Sequence, residues 1–232
     1  DLGLDPMMLG MIFSAFAWAY ALGQIPGGWL LDKYGARRVY GCSLLLWSLF
    51  TMMQGTVGWI GLVGSTAALT LFGMRFMLGL VESPAFPANN RIVSCWFPTA
   101  ERGTASALFN SAQYMAVVVF APLMAWLTHA WGWEHVFIWM GALGLVATVF
   151  WFAMYREPLS DPHLSKPELQ YMRDGGALVD LEATRKATKP KLNMKEVAQL
   201  FNNRTLWAIY LGQYCITALT YFFITWFPIY LI

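Results

Sequence analysis

The sequence predicts an all-α membrane protein of about six transmembrane helices, and three observations carry that expectation. No Asp, Glu, Lys or Arg occurs in residues 6–31, 39–74, 103–133 or 205–232, and a membrane-spanning helix needs roughly 20 mostly apolar residues. The chain of 232 residues is 58% hydrophobic and only 12% charged, about half the charged fraction of a soluble domain. Of its 15 basic residues, all but Arg75 are confined to alternate connections between the apolar segments. The net charge of +2 separates no function classes, and nothing in the sequence suggests a nucleic-acid groove.

Helices are expected near 8–31, 39–58, 67–90, 103–127, 135–155 and 205–230. Gly, Ala and Ser recur in them, which lets neighbouring backbones approach closely. Pro26, Pro84, Pro87, Pro122 and Pro228 fall within or near the ends of spans. Proline there frees a carbonyl that neighbours or water must satisfy. Orientation follows from Lys and Arg. Lys33, Arg37 and Arg38 lie between spans one and two, Arg91 and Arg102 between three and four, and nine more from Arg156 to Arg204 between five and six. The other two connections, 59–66 and 128–134, contain none. The positive-inside rule assigns the basic side, with loops 32–38, 91–102 and 156–204, to the cytoplasm.

Residues 156–204 form the one long polar segment. Ser165 and Glu168 suit a capping box opening a short helix through Arg173, which Gly175–Gly176 would end. The basic stretch 182–195 reads as a solvated linker. The chain opens at Asp1 without an initiator Met and closes at Ile232 inside an apolar run, so it reads as an internal piece of a longer protein. Cys42, Cys95 and Cys215 match no metal spacing and read as small buried apolar residues. His129 and His135 read as ordinary interfacial residues. No cofactor or metal is implied.

The chemistry centres on the two charges inside a span, Arg75 and Glu82. Seven residues turn a helix by about 700°, so the side chains share a face within roughly 20°, about 10 Å apart along the axis. That is too far for a close ion pair within one straight helix. Each charge therefore needs another partner or a wet cavity. A mid-membrane charge costs roughly 2.5–3.5 kcal/mol on the lenient insertion scale, and two on one face argue for a polar pathway. Arg75 stays protonated and offers a planar fork to a carboxylate. Glu82 can exchange a proton, with burial and the nearby cation acting on it in opposite senses. Pro84 frees the carbonyl of Leu80, an expected extra acceptor. Polar stripes mark other spans: Ser106, Asn110 and Gln113; Gln213, Thr217 and Thr220 with Tyr214 and Tyr221; Tyr20 and Gln24. Such groups must face protein or water. A membrane enzyme would need a nucleophile–base pair or an acidic metal cluster, and neither is present. An anion channel could use Arg75 without a titrating Glu82.

The stretch Gly28-Trp29-Leu30-Leu31-Asp32-Lys33-Tyr34-Gly35-Ala36-Arg37-Arg38 resembles the G-x-L-x-D-[RK]-x-G-x-[RK]-[RK] loop signature of the major facilitator superfamily. Gly35 permits a tight turn, and Asp32 can engage helix N-terminal amides. Arg75 with Gly79 resembles that family's R-x-x-x-G motif. The segments FSAFAWAYALGQIPGGWLLD, RFMLGLVESPAFPANNRIVSCWFPTAERGTASALFNSAQY and YFFITWFPIYL are similar to the anion:cation symporter family, nearest its bacterial sugar-acid:proton symporters. FNSAQY followed by FAPLMAWL leans toward glucarate/galactarate rather than galactonate or hexuronate.

The resemblance implies a fragment of a twelve-helix fold, holding its helices two to seven. Residues 1–155 would be an N-terminal bundle lacking its first helix, 156–204 the cytoplasmic central loop, and 205–232 the first helix of the C-terminal bundle. It implies an inner-membrane symporter whose partners are a small organic anion, protons, the bilayer and the remaining helices of the full-length chain. Arg75 would contact the substrate carboxylate and Glu82 would be the coupling site. Tyr20, Gln113 and Gln213 would line the sugar-acid pocket. Gly28, Asp32, Gly35, Arg37 and Arg38 would belong to the conformational gate. Ala116 and Ala121-Pro122, in place of the exporter branch's glycines, argue against an antiporter.

Overall fold

A computed structural model describes residues 3–188 and 202–223. The chain forms two compact units, Asp1–Pro190 and Lys191–Ile232. The first holds α1 (Pro6–Tyr34), α2 (Ala36–Thr56), α3 (Gly64–Glu82), α4 (Ala85–Trp96), α5 (Arg102–Trp131), α6 (Trp133–Met154), α7 (Lys166–Asp174) and α8 (Leu181–Thr188). The second holds α9 (Arg204–Tyr221). No strand occurs among the described residues. Lys189, Lys191, Lys195 and the stretch 224–230 of the last expected span, with Pro228, lie outside them.

Four of these stretches are long and apolar enough to cross a membrane: Met7–Tyr34, Gly64–Trp96, Arg102–Trp131 and Trp133–Met154. Helix α2 has 21 residues but is more polar, and its polar residues point inward. Ser43, Ser48, Thr51 and Gln54 are all buried, while Leu45, Leu46, Leu49 and Met53 are exposed. That inversion suits a helix whose outer face meets hydrocarbon and whose inner face meets other protein.

Packing follows small residues. On α1 the buried positions Ile12, Ala15, Ala19, Gly23, Gly27 and Leu31 recur every three or four residues, one helical face, and α1 lies along α3. A Cβ on Gly79 would strike the Phe16 carbonyl of α1. Helix α2 lies along α6, where a Cβ on Gly141 would come within 2.8 Å of the Ser48 carbonyl oxygen. The chain reverses between α1 and α2 at Gly35, whose φ of 85° is the left-handed conformation that glycine tolerates best.

The single span expected at 67–90 is two helices broken at Ser83–Pro84. Pro84 lacks the N–H that would continue the ladder. The Leu80 carbonyl it releases is not an open acceptor: the Ser83 hydroxyl donates to it at 2.8 Å.

The polar segment after α6 is folded. Ser165 caps α7 by accepting the Glu168 amide at 3.3 Å, and Gly175 ends it. Met172, Ala177 and Val179 form a small core against Trp96, Leu164 and Leu169. The Arg102 guanidinium donates to the Gly176 carbonyl at 2.6 Å, and the Leu178 amide to the Ser94 carbonyl at 2.9 Å. The segment is thereby tied to the ends of α4 and α5.

Candidate functional site

Arg75 and Glu82 are half-buried on α3. The Arg75 guanidinium sits 5.5 Å from the centre of the Phe13 ring on α1, within cation–π range. Glu82 is the last residue of α3 and lines the same cavities as Trp47 on α2. Among the described residues neither charge takes part in an ion pair.

Both line one cleft of about 400 Å³. Helix α3 contributes Arg75, Leu78 and Glu82, and α1 contributes Phe16. Helix α2 contributes Trp47, Thr51 and Gln54, while α5 and α6 add the apolar Met124, Val136, Phe137 and Met140. The α2 residues follow i, i+4, i+7 spacing and so share a face. Gln54 is 1% exposed. Its Nε2 donates to the Phe50 carbonyl at 3.3 Å, while its Oε1 is buried without a partner. On its other side Glu82 borders a smaller cavity of about 170 Å³ lined by Tyr40, Ser43, Leu44, Trp47 and Ala85. The arrangement offers a carboxylate a fixed cation, a hydroxyl group an amide and a threonine, and a proton a carboxyl group, all facing one cleft. Among the described residues no group of three or more His, Cys, Asp or Glu could hold a metal ion.

At the end of the bundle that carries residues 32–38, Asp32, Arg91, Glu182 and Arg185 form one ion-pair network. Arg91 donates from Nη1 to Asp32 at 2.7 Å and from Nε to Glu182 at 3.0 Å. Arg185 donates to Glu182 at 2.5 Å and to the Lys33 carbonyl at 2.6 Å. A Cβ on Gly35 would come within 2.7 Å of Glu182 Oε2, so the turn admits α8 only because it lacks one. Arg37 donates to the Phe152 carbonyl at 2.8 Å, and the Trp151 indole donates back to the Arg37 carbonyl at 2.9 Å.

Residues 1–232 match the family described as Major Facilitator Superfamily. The chain belongs to the Major Facilitator Superfamily. Over its whole length it is 52% identical to the "Probable galactarate/D-glucarate transporter GudP" of Escherichia coli K12 and 48% identical to the protein of that name in Bacillus subtilis 168. It is 40% identical to the "D-galactonate transporter" of Escherichia coli O6:H1. The chain spans about half the length of these relatives, 52%, 50% and 52% of each in turn. With its long apolar helices, this major facilitator chain is a multi-pass membrane protein.

Within this major facilitator chain, several expected residues lie apart from the cleft. Tyr20 stacks on Phe16 with ring centres 5.7 Å apart, which puts it beside the cleft wall. Gln113 and Asn110 are exposed on α5 and do not line the cleft. Gln213 lies in the other unit, where its amide faces the Thr217 hydroxyl at 3.5 Å. Gly28 has open space around its Cβ position, and Arg38 borders a separate groove beside Tyr34 and Cys42. Three expectations need correction. Of the three cysteines expected to be buried, Cys42 and Cys215 are exposed, because their helix faces have no covering helix among the described residues, and Cys95 is buried. Asp32 engages a guanidinium of α4 rather than helix amides, because Arg91 reaches it directly. Residues 182–185 are docked rather than solvated, because Glu182 binds both Arg91 and Arg185 and is 6% exposed. Sequence reading missed Trp47, Thr51 and Gln54, although their i, i+4, i+7 spacing was the available signal.

Proposed function

We propose that the full-length protein is a secondary active transporter of the inner membrane. It takes up a sugar-acid anion such as D-glucarate or galactarate together with protons, by alternating access. The observation that carries this reading is the pair Arg75 and Glu82, facing one cleft with no ion-pair partner among the described residues. A half-buried guanidinium without a carboxylate partner can bind one that arrives from outside. A carboxyl group in the same cleft can carry the coupled proton. The printed names of the relatives supply the substrate class.

In this reading Arg75 anchors a carboxylate and Glu82 is the coupling site. Tyr20, Gln113 and Gln213 contribute to the pocket in the complete protein, and Gly28, Asp32, Gly35, Arg37 and Arg38 belong to the gate. Loops 32–38, 91–102 and 156–204 face the cytoplasm. Helices outside this chain complete the cleft, since the relatives are about twice as long, and rocking of two bundles around a midplane site needs both halves. The protein is not an enzyme. The D-galactonate relative favours a second reading, an aldonate as substrate.

The test is uptake of labelled galactarate into proteoliposomes holding the full-length protein under an imposed proton gradient. Accumulation should require the gradient. In Glu82→Gln it should vanish while exchange of internal for external galactarate persists. Uphill accumulation by Glu82→Gln would remove Glu82 from coupling, and wild-type uptake indifferent to the gradient would sink the symport reading.

A further inference from the structure

We infer that Gln54, with Thr51 one turn before it, forms a hydroxyl-reading subsite beside Arg75. The inference rests on the reading that the cleft accepts a sugar acid and names the part of the site that recognises the sugar.

Gln54 is the cleft residue whose state most needs explaining. It is 1% exposed, yet its Oε1 has no hydrogen-bond partner. A buried unsatisfied acceptor costs about 1–3 kcal/mol. The amide orientation is fixed chemically. The Phe50 carbonyl 3.3 Å away can only accept, so Nε2 must face it and Oε1 is the free end. Leu, Met or Ile would fill the position beside the apolar α5 and α6 lining at no such cost. An acceptor kept there without an internal donor calls for an external one.

The position of that acceptor identifies the donor. Consecutive helices α2 and α3 run antiparallel across the turn at 57–63. Trp47 and Glu82 line the same two cavities and so lie near one level. Seven residues along each helix, about 10 Å, then bring Gln54 to the level of Arg75, on the same cleft wall. A carboxylate held by Arg75 would present its neighbouring carbons to Gln54 and Thr51. If those carbons bear hydroxyl groups, Oε1 gains its donor and Thr51 can accept or donate alongside. If they bear only hydrogen, Oε1 stays unsatisfied. Sites built to hydrogen-bond a substrate hydroxyl discriminate strongly against analogues that lack it. The cleft's other walls at α5 and α6 are apolar there, through Met124, Val136, Phe137 and Met140, and supply no competing donor.

The experiment compares galactarate with adipate, the six-carbon dicarboxylate without hydroxyl groups, by calorimetry on the full-length protein. Wild type should bind galactarate at least tenfold more tightly. Gln54→Met, close in volume, should weaken galactarate about tenfold and leave adipate within about twofold. Thr51→Val should shift the preference the same way by a smaller factor, and serves where Gln54→Met does not fold. Equal losses for both acids would overturn the inference, because Gln54 would then act by holding Arg75 or the helix packing. No loss for either would also overturn it. These results would leave the sugar-acid reading intact. Wild-type protein that binds neither acid would sink both.

Discussion

At one end of the bundle, Asp32, Arg91, Glu182 and Arg185 neutralise one another at 2.5–3.0 Å, with the side chains of Arg91, Glu182 and Arg185 only 8–11% exposed. On α3, Arg75 and Glu82 line an open cleft and take part in no ion pair among the described residues. The first set joins segments far apart in the chain: α1, α4 and α8. The second set lies on one helix, and its neighbours on other helices, Phe13 and Trp47, carry no charge. Charges whose partners are built in support the fold. Charges whose partners are left out burden the fold and are available to a ligand or a proton. The same residue types therefore answer differently to removal, and that difference can be measured.

The largest effect is expected from Arg91→Ala, which takes the guanidinium away from Asp32 and leaves the buried Glu182 with Arg185 alone. Breaking a buried ion pair from one side costs about 3–5 kcal/mol. The thermal midpoint of the full-length protein in detergent should fall steeply, and replacing Arg91, Glu182 and Arg185 together by Met, Leu and Met should recover most of the loss. An unchanged midpoint for Arg91→Ala would show that the network is solvated and the contrast void.

Arg75→Met should act in the opposite direction. It removes a charge whose burial in a membrane costs up to ~2.5–3.5 kcal/mol, so the midpoint should hold or rise. Galactarate binding should be lost at the same time, the trade of stability for activity expected at a functional site. A fall in the midpoint would mean that Arg75 has a structural partner after all.

Glu182→Gln tests the clamp more gently. The amide keeps one acceptor but gives up both ion pairs, a loss of about 1–3 kcal/mol. Cys95 supplies the readout, since it is buried at 5% exposure near the end of α4, next to Arg91 and Glu182 in its surroundings. With Cys42 and Cys215 replaced, along with any cysteines elsewhere in the full-length chain, maleimide labelling of Cys95 should be slow in the wild-type background and faster in Glu182→Gln. Equal rates would show that α8 does not cover this region.

The two charge sets were unequally legible in the sequence. Arg75 and Glu82 stand out because nothing else from 67 to 90 is charged and their spacing is local. The end network is invisible for the opposite reason. Asp32 finds its partner 59 residues on, and Glu182 finds Arg91 across 91. Among so many basic neighbours Glu182 reads as one more solvated charge. Helix existence followed from uncharged length, whereas the break at Ser83–Pro84 depended on a hydroxyl capping the freed carbonyl. Gln113 belongs to a stripe whose i, i+4, i+7 pattern marks a polar face of α5 that stays exposed among the described residues, where α5 packs mainly on α6. On α2 the same pattern does face the cleft.

The smallest effect should come from a polar contact that belongs to neither set. Ser165 is exposed and accepts a single amide, that of Glu168, at the start of α7. Losing such a cap costs roughly 0.5–1 kcal/mol. The helix is also held by Met172 in its small core with Ala177 and Val179, so Ser165→Ala should fray its first turn without undocking it. Hydrogen exchange should speed up for the Glu168 amide, which loses its acceptor, and stay slow for the Ala177 amide, which bonds the Met172 carbonyl at 2.8 Å. The global thermal midpoint should not move, because the opening is local. Faster exchange through Ala177 as well would mean that the cap and the docking contacts form one cooperative unit. The linker would then transmit a change at Ser165 to the Arg91 network, and the division between charges that hold the fold and groups that do not would have to be drawn elsewhere.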